Sequence, residues 1–317
     1  MGRILAGEAS DVQIAGFAVA LRSKGESASE ITGLATAMLE VAAPIAVPGS
    51  AVDIVGSGGD RSNTVNISTM AAVVAAAAGA RVVKHGSRAA SSACGSADLL
   101  EALGVRLDVA PADQPQVIEQ VGIGFLFAPL YHASLRNAAS ARSQLGIATT
   151  FNFLGPLTNP GRPNAHAVGV ADERLALISA EVLGGRGDQG LVFHGTDGLD
   201  ELTTTSTSTV IVFDSDQIGR TVLDPRELGI SRADVSDLIG AGPDHNATVA
   251  RRVFAGDHGP VRDIVLLNAA AALAAFDGPG RAEDLVETLA GHLQRAATAI
   301  DSGAVAELLD RWVAATN

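Results

Sequence analysis

The N-terminal part of the chain carries apolar residues at the spacing of an α-helix. They fall into two stretches and comprise Val12, Ile14, Phe17, Ala18, Leu21, Ile31, Leu34, Ala35 and Leu39. Ser27 is followed by Glu30 at the spacing of a capping box, which marks the start of a helix, and Pro44 and Pro48 close the segment. The pattern predicts helices and no strands over residues 1–47.

Beyond Ala51 short β-branched runs alternate with helical stretches. The predicted strands cover residues 52–55, 81–84, 123–127, 167–170, 191–194 and 209–213, and the predicted helices between them cover 69–78, 97–103, 134–145 and 175–183. From Arg251 onward the pattern is mostly helical. Such alternation predicts the α/β class, with a central, mainly parallel sheet flanked by helices.

Two domains are expected from these patterns. Residues 1–47 and 130–160 would form a small, discontinuous, all-helical domain, and residues 48–129 and 161–317 a large α/β domain.

Composition narrows the class of protein. Hydrophobic residues make up 47% of 317 positions and charged residues 18%, which is typical of a globular chain. Aromatic residues are only 3%, so small aliphatic side chains must fill the core. The formal net charge of −13 argues against a nucleic-acid partner, because phosphate contacts need a basic surface.

The single cysteine, Cys94, cannot form an internal disulfide, and we therefore expect a reducing, cytoplasmic location. No basic-then-apolar signal segment opens the chain. The apolar runs at 71–78 and 266–276 are too short to span a bilayer, so no membrane partner is expected.

Three loops rich in glycine and hydroxyl groups follow one another between residues 56 and 88. They are Gly56-Ser57-Gly58-Gly59-Asp60, Asn66-Ile67-Ser68-Thr69 and Lys84-His85-Gly86-Ser87-Arg88, with Ser91 and Ser92 behind the last. Glycine lets backbone amides approach an anion, and a helix N-terminus adds unpaired donors. Together the loops predict a ligand with several phosphates. Taken alone, the first loop also fits a tight turn, the second an N-cap and the third a surface lysine at the end of a strand.

The segment from His194 to Glu201 places Asp197, Asp200 and Glu201 directly after a predicted strand. Adjacent carboxylates repel one another, so they need a cation or full solvation. Carboxylates combined with substrate phosphates are a common Mg²⁺ arrangement, and a solvated acidic turn is an equally good explanation of this motif alone. Cys94 has no identifiable activating partner and is expected to be a packed residue.

Taken in order, these segments closely resemble the anthranilate phosphoribosyltransferase family. The resemblance begins near Ile4 and covers almost the whole chain, including 91–98, 121–125, 127–129, 151–160, 194–202 and 260–263. It implies an Mg²⁺-dependent transfer of a phosphoribosyl group from phosphoribosyl pyrophosphate to the amine of anthranilate, a step of tryptophan biosynthesis. It also implies a cleft between a helical and an α/β lobe, and a homodimer formed through the helical lobes.

The resemblance also implies roles for individual residues. Phosphoribosyl pyrophosphate would be bound by Gly56, Gly58, Gly59, Asp60, Thr64, Asn66, Ser68, Thr69, Lys84 and Ser96. Anthranilate would be bound by Gly56, His85, Ser87, His132 and Arg142. The metal would be held by Asp200 and Glu201, with a second ion at Ser68, and the catalytic residues would be Lys84, Asp200 and Glu201. The arylamine is neutral at pH 7, so no general base is nominated.

Three features depart from the family pattern. Ser87 stands where the family usually has Asn, which favours a second hypothesis in which the acceptor is a different aromatic amine or acid. Cys94 replaces a common Ser, and the family normally has one further helix before the segment that opens this chain, which bears on the dimer. A pyrimidine nucleoside phosphorylase and a non-catalytic relative that binds nucleic acid are two weaker hypotheses.

Overall fold

One mainly parallel sheet organises the chain. The computed structural model describes residues 1–89 and 93–317, so Ser91 and Ser92 lie outside the described residues. The strands are β1 (Val52–Gly56), β2 (Val82–Gly86), β3 (Ile123–Phe127), β4 (Ala165–Gly169), β5 (Gln189–Gly195), β6 (Ser208–Asp214) and β7 (Gln217–Leu223). Their order is β3-β2-β1-β4-β5-β6-β7, and β1 to β5 run parallel while β6 and β7 are antiparallel additions. The predicted fold class is confirmed.

Each predicted strand coincides with an observed one, but β7 was not predicted. Its side chains are mostly exposed because it is the edge strand of the sheet. A half-exposed strand carries few of the buried apolar residues that identify a strand in a sequence. A hairpin joins it to β6 and places Ser215 at a positive φ of 53°.

Helices flank the sheet and make up both ends of the chain. They are α1 (Gly2–Leu5), α2 (Asp11–Lys24), α3 (Ala28–Glu40), α4 (Ile67–Ala77), α5 (Ser96–Leu103), α6 (Gln114–Val121), α7 (Ala128–Tyr131), α8 (Ala139–Leu145), α9 (Thr150–Phe153), α10 (Arg174–Gly184), α11 (Pro243–Phe254), α12 (Pro260–Asp277), α13 (Leu285–Asp301) and α14 (Ala304–Thr316). Short 3₁₀ helices occur at Ala133–Ala138, Gly155–Leu157, Pro225–Leu228, Val235–Leu238 and Ala282–Asp284. In the described part of the chain, no helix is long and apolar enough to cross a membrane.

The helix predicted over 134–145 is divided in two. Its first half is the 3₁₀ helix Ala133–Ala138, and only the second half, α8, is α-helical. Within the first half, the Asn137 amide donates a hydrogen bond to the Leu5 carbonyl oxygen at 2.9 Å. That bond connects the 3₁₀ helix to α1. A contact between segments so far apart in the sequence cannot be predicted from the helical spacing of apolar residues.

The N-terminal helices form a unit with the helices that follow β3. The capping box at the start of α3 is present: the Glu30 amide donates to Ser27 Oγ at 3.4 Å, and the Ser27 amide donates to Glu30 Oε2 at 3.1 Å. Helix α2 packs against α8 and α9, and its Ile14 shares one buried cluster with Phe151 and Phe153. These contacts support the predicted discontinuous domain, whose exact bounds stay a prediction.

The main core lies between the sheet and two alanine-rich helices, α4 and α12. From Ile264 to Ala275 every side chain of α12 is buried, and α4 packs directly against it. Alanine lets two helix backbones approach closely while still burying apolar surface. The core is therefore built largely from small side chains, as the low aromatic content of the sequence predicts.

We expect Ala271→Leu to lower the free energy of unfolding by about 1–3 kcal/mol, because a larger side chain does not fit a close-packed interior. Ala271 has no exposed surface in α12. Urea denaturation followed by circular dichroism measures the change. The matched control is Ala290→Leu on the exposed face of α13, where we expect less than about 0.5 kcal/mol. Equal effects of the two substitutions would contradict this account of the core.

Candidate functional site

A cleft opens at the carboxyl ends of β1, β2 and β4. The chain continues from β1 to β2 toward one edge of the sheet and from β4 to β5 toward the other, and ligands of open α/β sheets bind at such a switch point. The cavity there has a volume of about 340 Å³. Its lining includes fifteen of the residues predicted from sequence: Gly56, Gly58, Gly59, Asp60, Thr64, Asn66, Ser68, Thr69, Lys84, His85, Ser87, Ser96, Arg142, Asp200 and Glu201.

The glycine loop after β1 lies directly against Asp200. A Cβ atom on Gly56 would stand 2.3 Å from Asp200 Oδ2, so only glycine leaves room for that carboxylate. The Gly58 amide donates to the same oxygen at 2.6 Å. The loop and the carboxylate that follows β5 in sequence therefore belong to one site.

Asp200 and Glu201 are buried side by side. Burial, reinforced by the negative charge of Asp60, raises the pKa of Asp200 to about 7. Burial and the neighbouring Asp200 raise the pKa of Glu201 well above its usual value. Glu201 Oε2 is buried without a hydrogen-bond partner. A positive ion in contact with the pair would remove this penalty.

The described residues contain no group of three or more His, Cys, Asp or Glu side chains that could hold a metal by themselves. The donor set of Asp200 and Glu201 is a pair of carboxylates, which suits a hard ion that keeps waters or binds substrate phosphates. The residues therefore fit Mg²⁺ better than a structural metal such as zinc, which takes four protein ligands.

Lys84 brings a buried positive charge to the same place. Its Nζ donates to the Ile54 carbonyl oxygen at 2.6 Å and to Ser68 Oγ at 3.3 Å. Burial lowers the pKa of Lys84, and the carboxyls of Asp53, Glu201 and Asp200 oppose that shift. Lys84, the middle residue of β2, is thus an internal group of the site and not a surface residue.

The start of α4 supplies hydroxyl and amide groups. Thr69 Oγ1 is buried without a hydrogen-bond partner. The Asn66 amide donates to the Cys94 carbonyl oxygen and accepts from Asn246 Nδ2, both at 2.9 Å. Ser96 Oγ donates to the Ser87 carbonyl oxygen at 3.3 Å. These bonds hold the second and third loops in contact around the cavity.

Cys94 is buried, as expected of a packed residue. Burial raises the pKa of its thiol to about 11, which disfavours the nucleophilic thiolate.

The remaining predicted residues lie toward the unit formed by the N-terminal helices and the helices that follow β3, which we call the helical segment. The ring nitrogen Nδ1 of His85 is 3.3 Å from the Gly155 carbonyl oxygen, while its Nε2 is buried and unpartnered. Burial and His132 lower the pKa of His85 to about 3, so the ring is neutral. His132 lies behind His85, with the ring centroids 5.2 Å apart, and its Nε2 is 2.8 Å from the Thr158 carbonyl oxygen. It is the one predicted residue that does not line the cavity.

Arg142 lines the cavity from α8 and lies over the ring of Phe151 at 5.9 Å. Burial lowers the pKa of its guanidinium group, which nonetheless stays charged at neutral pH. Ser87 is exposed on the opposite wall.

Two buried residues support the site and escaped the sequence motifs. The first is Asp53, whose carboxylate accepts from the His85 amide at 3.3 Å and from Asn159 Nδ2 at 2.8 Å. Burial raises the pKa of Asp53. The signal in the sequence was a charged residue inside the β-branched run of β1, where a side chain is buried on both faces of the sheet.

The second is Asn268, which supports the acidic segment from inside the core. Its side chain accepts from the Leu202 amide at 3.0 Å and donates to the Leu202 carbonyl oxygen at 2.9 Å, which fixes the residue after Glu201. It has no exposed surface. A lone amide within an apolar, alanine-rich helix was the signal that could have identified it.

Comparisons with known proteins agree with this geometry. The model of the glycosyl transferase family a/b domain matches residues 48–306, and that of the family's helical bundle domain matches residues 1–42. An anthranilate phosphoribosyltransferase of Acidothermus cellulolyticus is 60% identical over all of this chain and 89% of its own length. The chain belongs to the anthranilate phosphoribosyltransferase family.

Solved structures from this family have the same fold. The enzyme of Thermus thermophilus matches with a TM-score of 0.92 and 43% identity, over 99% of this chain and 93% of its own. The enzyme of Saccharomyces cerevisiae, in complex with PRPP and Mg, matches with a TM-score of 0.86 and 29% identity, over 96% and 85%.

We expect Asn268→Leu to release the segment after Glu201. The substitution leaves the amide and carbonyl of Leu202 unpaired and should lower the free energy of unfolding by about 2–4 kcal/mol. Hydrogen exchange at the Leu202 amide should accelerate by more than the global loss of stability explains.

The matched control is Gln114→Leu, which removes a buried amide that donates to the Phe125 carbonyl oxygen on β3. That variant should leave exchange at Leu202 in step with global unfolding. Local exchange that is unchanged in Asn268→Leu would contradict the support role.

Proposed function

We propose that this chain transfers the phosphoribosyl group of phosphoribosyl pyrophosphate to the amine of anthranilate and releases pyrophosphate. The observation that carries the proposal is the buried Asp200–Glu201 pair held against the glycine loop beside Lys84. Burying these charges is costly, and a cation against the two carboxylates together with an anion beside Lys84 would offset that cost. Similarity to relatives with this activity supports the same conclusion.

In the proposed complex the three loops bind the phosphorylated substrate. Gly56, Gly58, Gly59 and Asp60 hold the pyrophosphate, and Thr64, Asn66, Ser68, Thr69, Lys84 and Ser96 hold the ribose and the remaining phosphate. Backbone amides at glycines and at the start of α4 are suited to phosphate oxygens. The unpartnered Thr69 Oγ1 and the Lys84 ammonium add donors on the same wall.

Asp200 and Glu201 would hold Mg²⁺, and Ser68 would contact a second ion. A neighbour from Saccharomyces cerevisiae was solved with PRPP and Mg. When bound, the ion neutralises the charge that develops on the departing pyrophosphate. The rest of that charge is stabilised by the loop amides and by Lys84.

The acceptor would enter between the helical segment and β2. Arg142 is suited to its carboxylate, because a guanidinium group pairs with a carboxylate through two parallel hydrogen bonds. Neutral His85 lines the approach without adding charge, and His132 fixes its surroundings. Positioning accounts for the acceptor side of the reaction, since the amine is already neutral when it attacks and releases its proton to solvent after the C–N bond has formed.

A second candidate acceptor is favoured by Ser87. Its short side chain lies exposed on the cavity wall, where a hydroxyl replaces the amide usual in the family. A differently substituted aromatic amine or acid could then fill the vacated space. One neighbour from Saccharomyces cerevisiae was solved with 4-fluoroanthranilate.

A homodimer formed through the helical segment is part of the proposal. Helix α2 buries Ile14 on one face. On the remaining surface of the helix, Val12 is 82% exposed and Phe17 is 39% exposed. Exposed apolar side chains grouped on one helix are typical of an interface. A cytoplasmic location and the domain bounds 1–47 with 130–160 also stay predictions.

We expect the double variant Asp200→Asn with Glu201→Gln to lose turnover by at least about 100-fold, because the charge on the leaving group is no longer stabilised. The fold should persist, since removing two buried charges lessens the cost of burial. Loss of anthranilate fluorescence after addition of phosphoribosyl pyrophosphate and Mg²⁺ measures turnover, and calorimetry measures Mg²⁺-dependent binding of the donor.

The control is Glu283→Gln with Asp284→Asn, a second adjacent acidic pair that is exposed near the start of α13. It should retain full activity. If Asp200→Asn with Glu201→Gln turns over as fast as wild type, the metal assignment is wrong. If the wild-type chain itself is inactive, the proposed function is wrong.

We expect Ser87→Asn to raise kcat/KM for anthranilate by about two- to tenfold, the effect of one added hydrogen bond. Steady-state assays across substituted anthranilates test whether the gain is specific to anthranilate. The surface variant Ser231→Asn serves as the matched control. Identical kcat/KM values for Ser87→Asn and wild type would show that Ser87 does not set the acceptor.

A further inference from the structure

A second cavity lies at the opposite end of the strands from the catalytic cleft. It has a volume of about 430 Å³, within the range of small-molecule sites. His166, near the amino end of β4, and Asp188, just before β5, form its floor, whereas the cleft lies at the carboxyl ends of the strands. The end of α3 and the segment after Leu157 form its other walls, so the cavity joins the helical segment to the sheet.

Two arginines and a buried histidine line this cavity, and two of the three have nitrogen atoms without a hydrogen-bond partner. Arg186 Nη1 donates to the Leu157 carbonyl oxygen at 2.8 Å, but its Nη2 is buried without a partner. Burial lowers the pKa of Arg186, the negative charge of Asp188 opposes that shift, and the charge of Arg162 adds to it. Arg162 itself holds a φ of 45°, a left-handed conformation that costs energy for a residue with a side chain. His166 is 3% exposed and its Nδ1 is also unpartnered.

The remaining walls restrict the class of ligand. Leu39, Leu157 and Pro163 offer apolar surface. Glu40 and Asp188 add negative charge, which disfavours a ligand with several negative charges such as a phosphate ester. Asp188 Oδ2 lies 3.1 Å from His166 Nε2, and its charge also acts on Arg186, which leaves Arg162 as the cation without a carboxylate acting on it among these groups. The walls therefore suit one negative charge placed between two guanidinium groups and attached to an apolar body.

We propose that this cavity, which we call the rear cavity, binds a small organic monocarboxylate, with the carboxylate between Arg162 and Arg186 and the apolar part against Leu39 and Leu157. Arg–carboxylate pairs of this kind are short and directional. The site is separate from the catalytic cleft and does not depend on the proposed function.

The probe is 4-bromobenzoate, whose bromine can be located in a crystal by anomalous scattering. Binding in solution is measured by calorimetry with wild type, Arg162→Gln, Arg142→Gln and Arg311→Gln. Arg142→Gln reports on binding in the catalytic cleft, and Arg311→Gln is a matched arginine control on the exposed face of α14. Arg162 is exposed, so its substitution preserves the fold, and thermal denaturation verifies this.

We expect bromine in the rear cavity and binding there that is about tenfold weaker in Arg162→Gln, from the loss of one charged hydrogen-bond partner. Arg142→Gln and Arg311→Gln should leave this binding unchanged, and inorganic phosphate should not displace the probe. Bromine beside Arg142 alone would overturn the proposal. It would also be overturned by binding at crystal concentration only, by Arg162→Gln binding that equals wild type, or by displacement with phosphate.

Discussion

The burial of Asp200 and Glu201 against the glycine loop is the constraint on which the site depends. Three carboxyl groups, those of Asp53, Asp200 and Glu201, act on the single ammonium of Lys84 inside the protein. Charges removed from water at this density are costly unless opposite charge completes them. The backbone donors of the glycine loop and the unpartnered Thr69 Oγ1 line the same cavity as these charges.

Sheet topology makes that burial possible. Gly56 and Gly169 end adjacent parallel strands and pair with each other in register. A Cβ on Gly169 would stand 1.6 Å from the Asp200 carbonyl oxygen, and one on Gly56 would meet the side chain of the same residue. The two glycines thus leave a gap at the switch point of the sheet, and the segment after β5 fills it. Strand order brings the Asp200–Glu201 pair to the glycine loop, although Asp200 lies 142 positions after Gly58 in the sequence.

Much of this arrangement could be predicted from sequence, and the exceptions share a physical cause. The strands that carry the loops are continuous β-branched runs, so period and composition reveal β1 to β6. Strand β7 was missed because it is a mostly exposed edge strand in which Gly219, Arg220 and Thr221 interrupt the apolar residues. The residues of the cleft were predicted through short motifs, whereas Asn159 and Asn268 were not, because each acts on backbone groups far away in the chain. His132 has a similar limit: its place behind His85 follows from packing between segments, which no local pattern encodes.

The two walls of the cleft come from different parts of the molecule, and this division bears on the reaction. The glycine loop and the segment that begins at Ser87 follow β1 and β2 of the sheet directly. Arg142 and Asn152 reach the same cavity from α8 and α9, which pack against α2. Helices α2, α8 and α9 share one hydrophobic cluster with Val168, Val192 and Phe213 of the sheet, so packing between the helices and the sheet sets how the two walls of the cleft face each other. Under the proposed function the neutral amine attacks first and loses its proton to solvent afterwards, so charge stabilisation on the sheet side and alignment from the helical side would lower the barrier. A change in the packing between the two units would alter alignment while leaving the affinity for the phosphorylated donor intact.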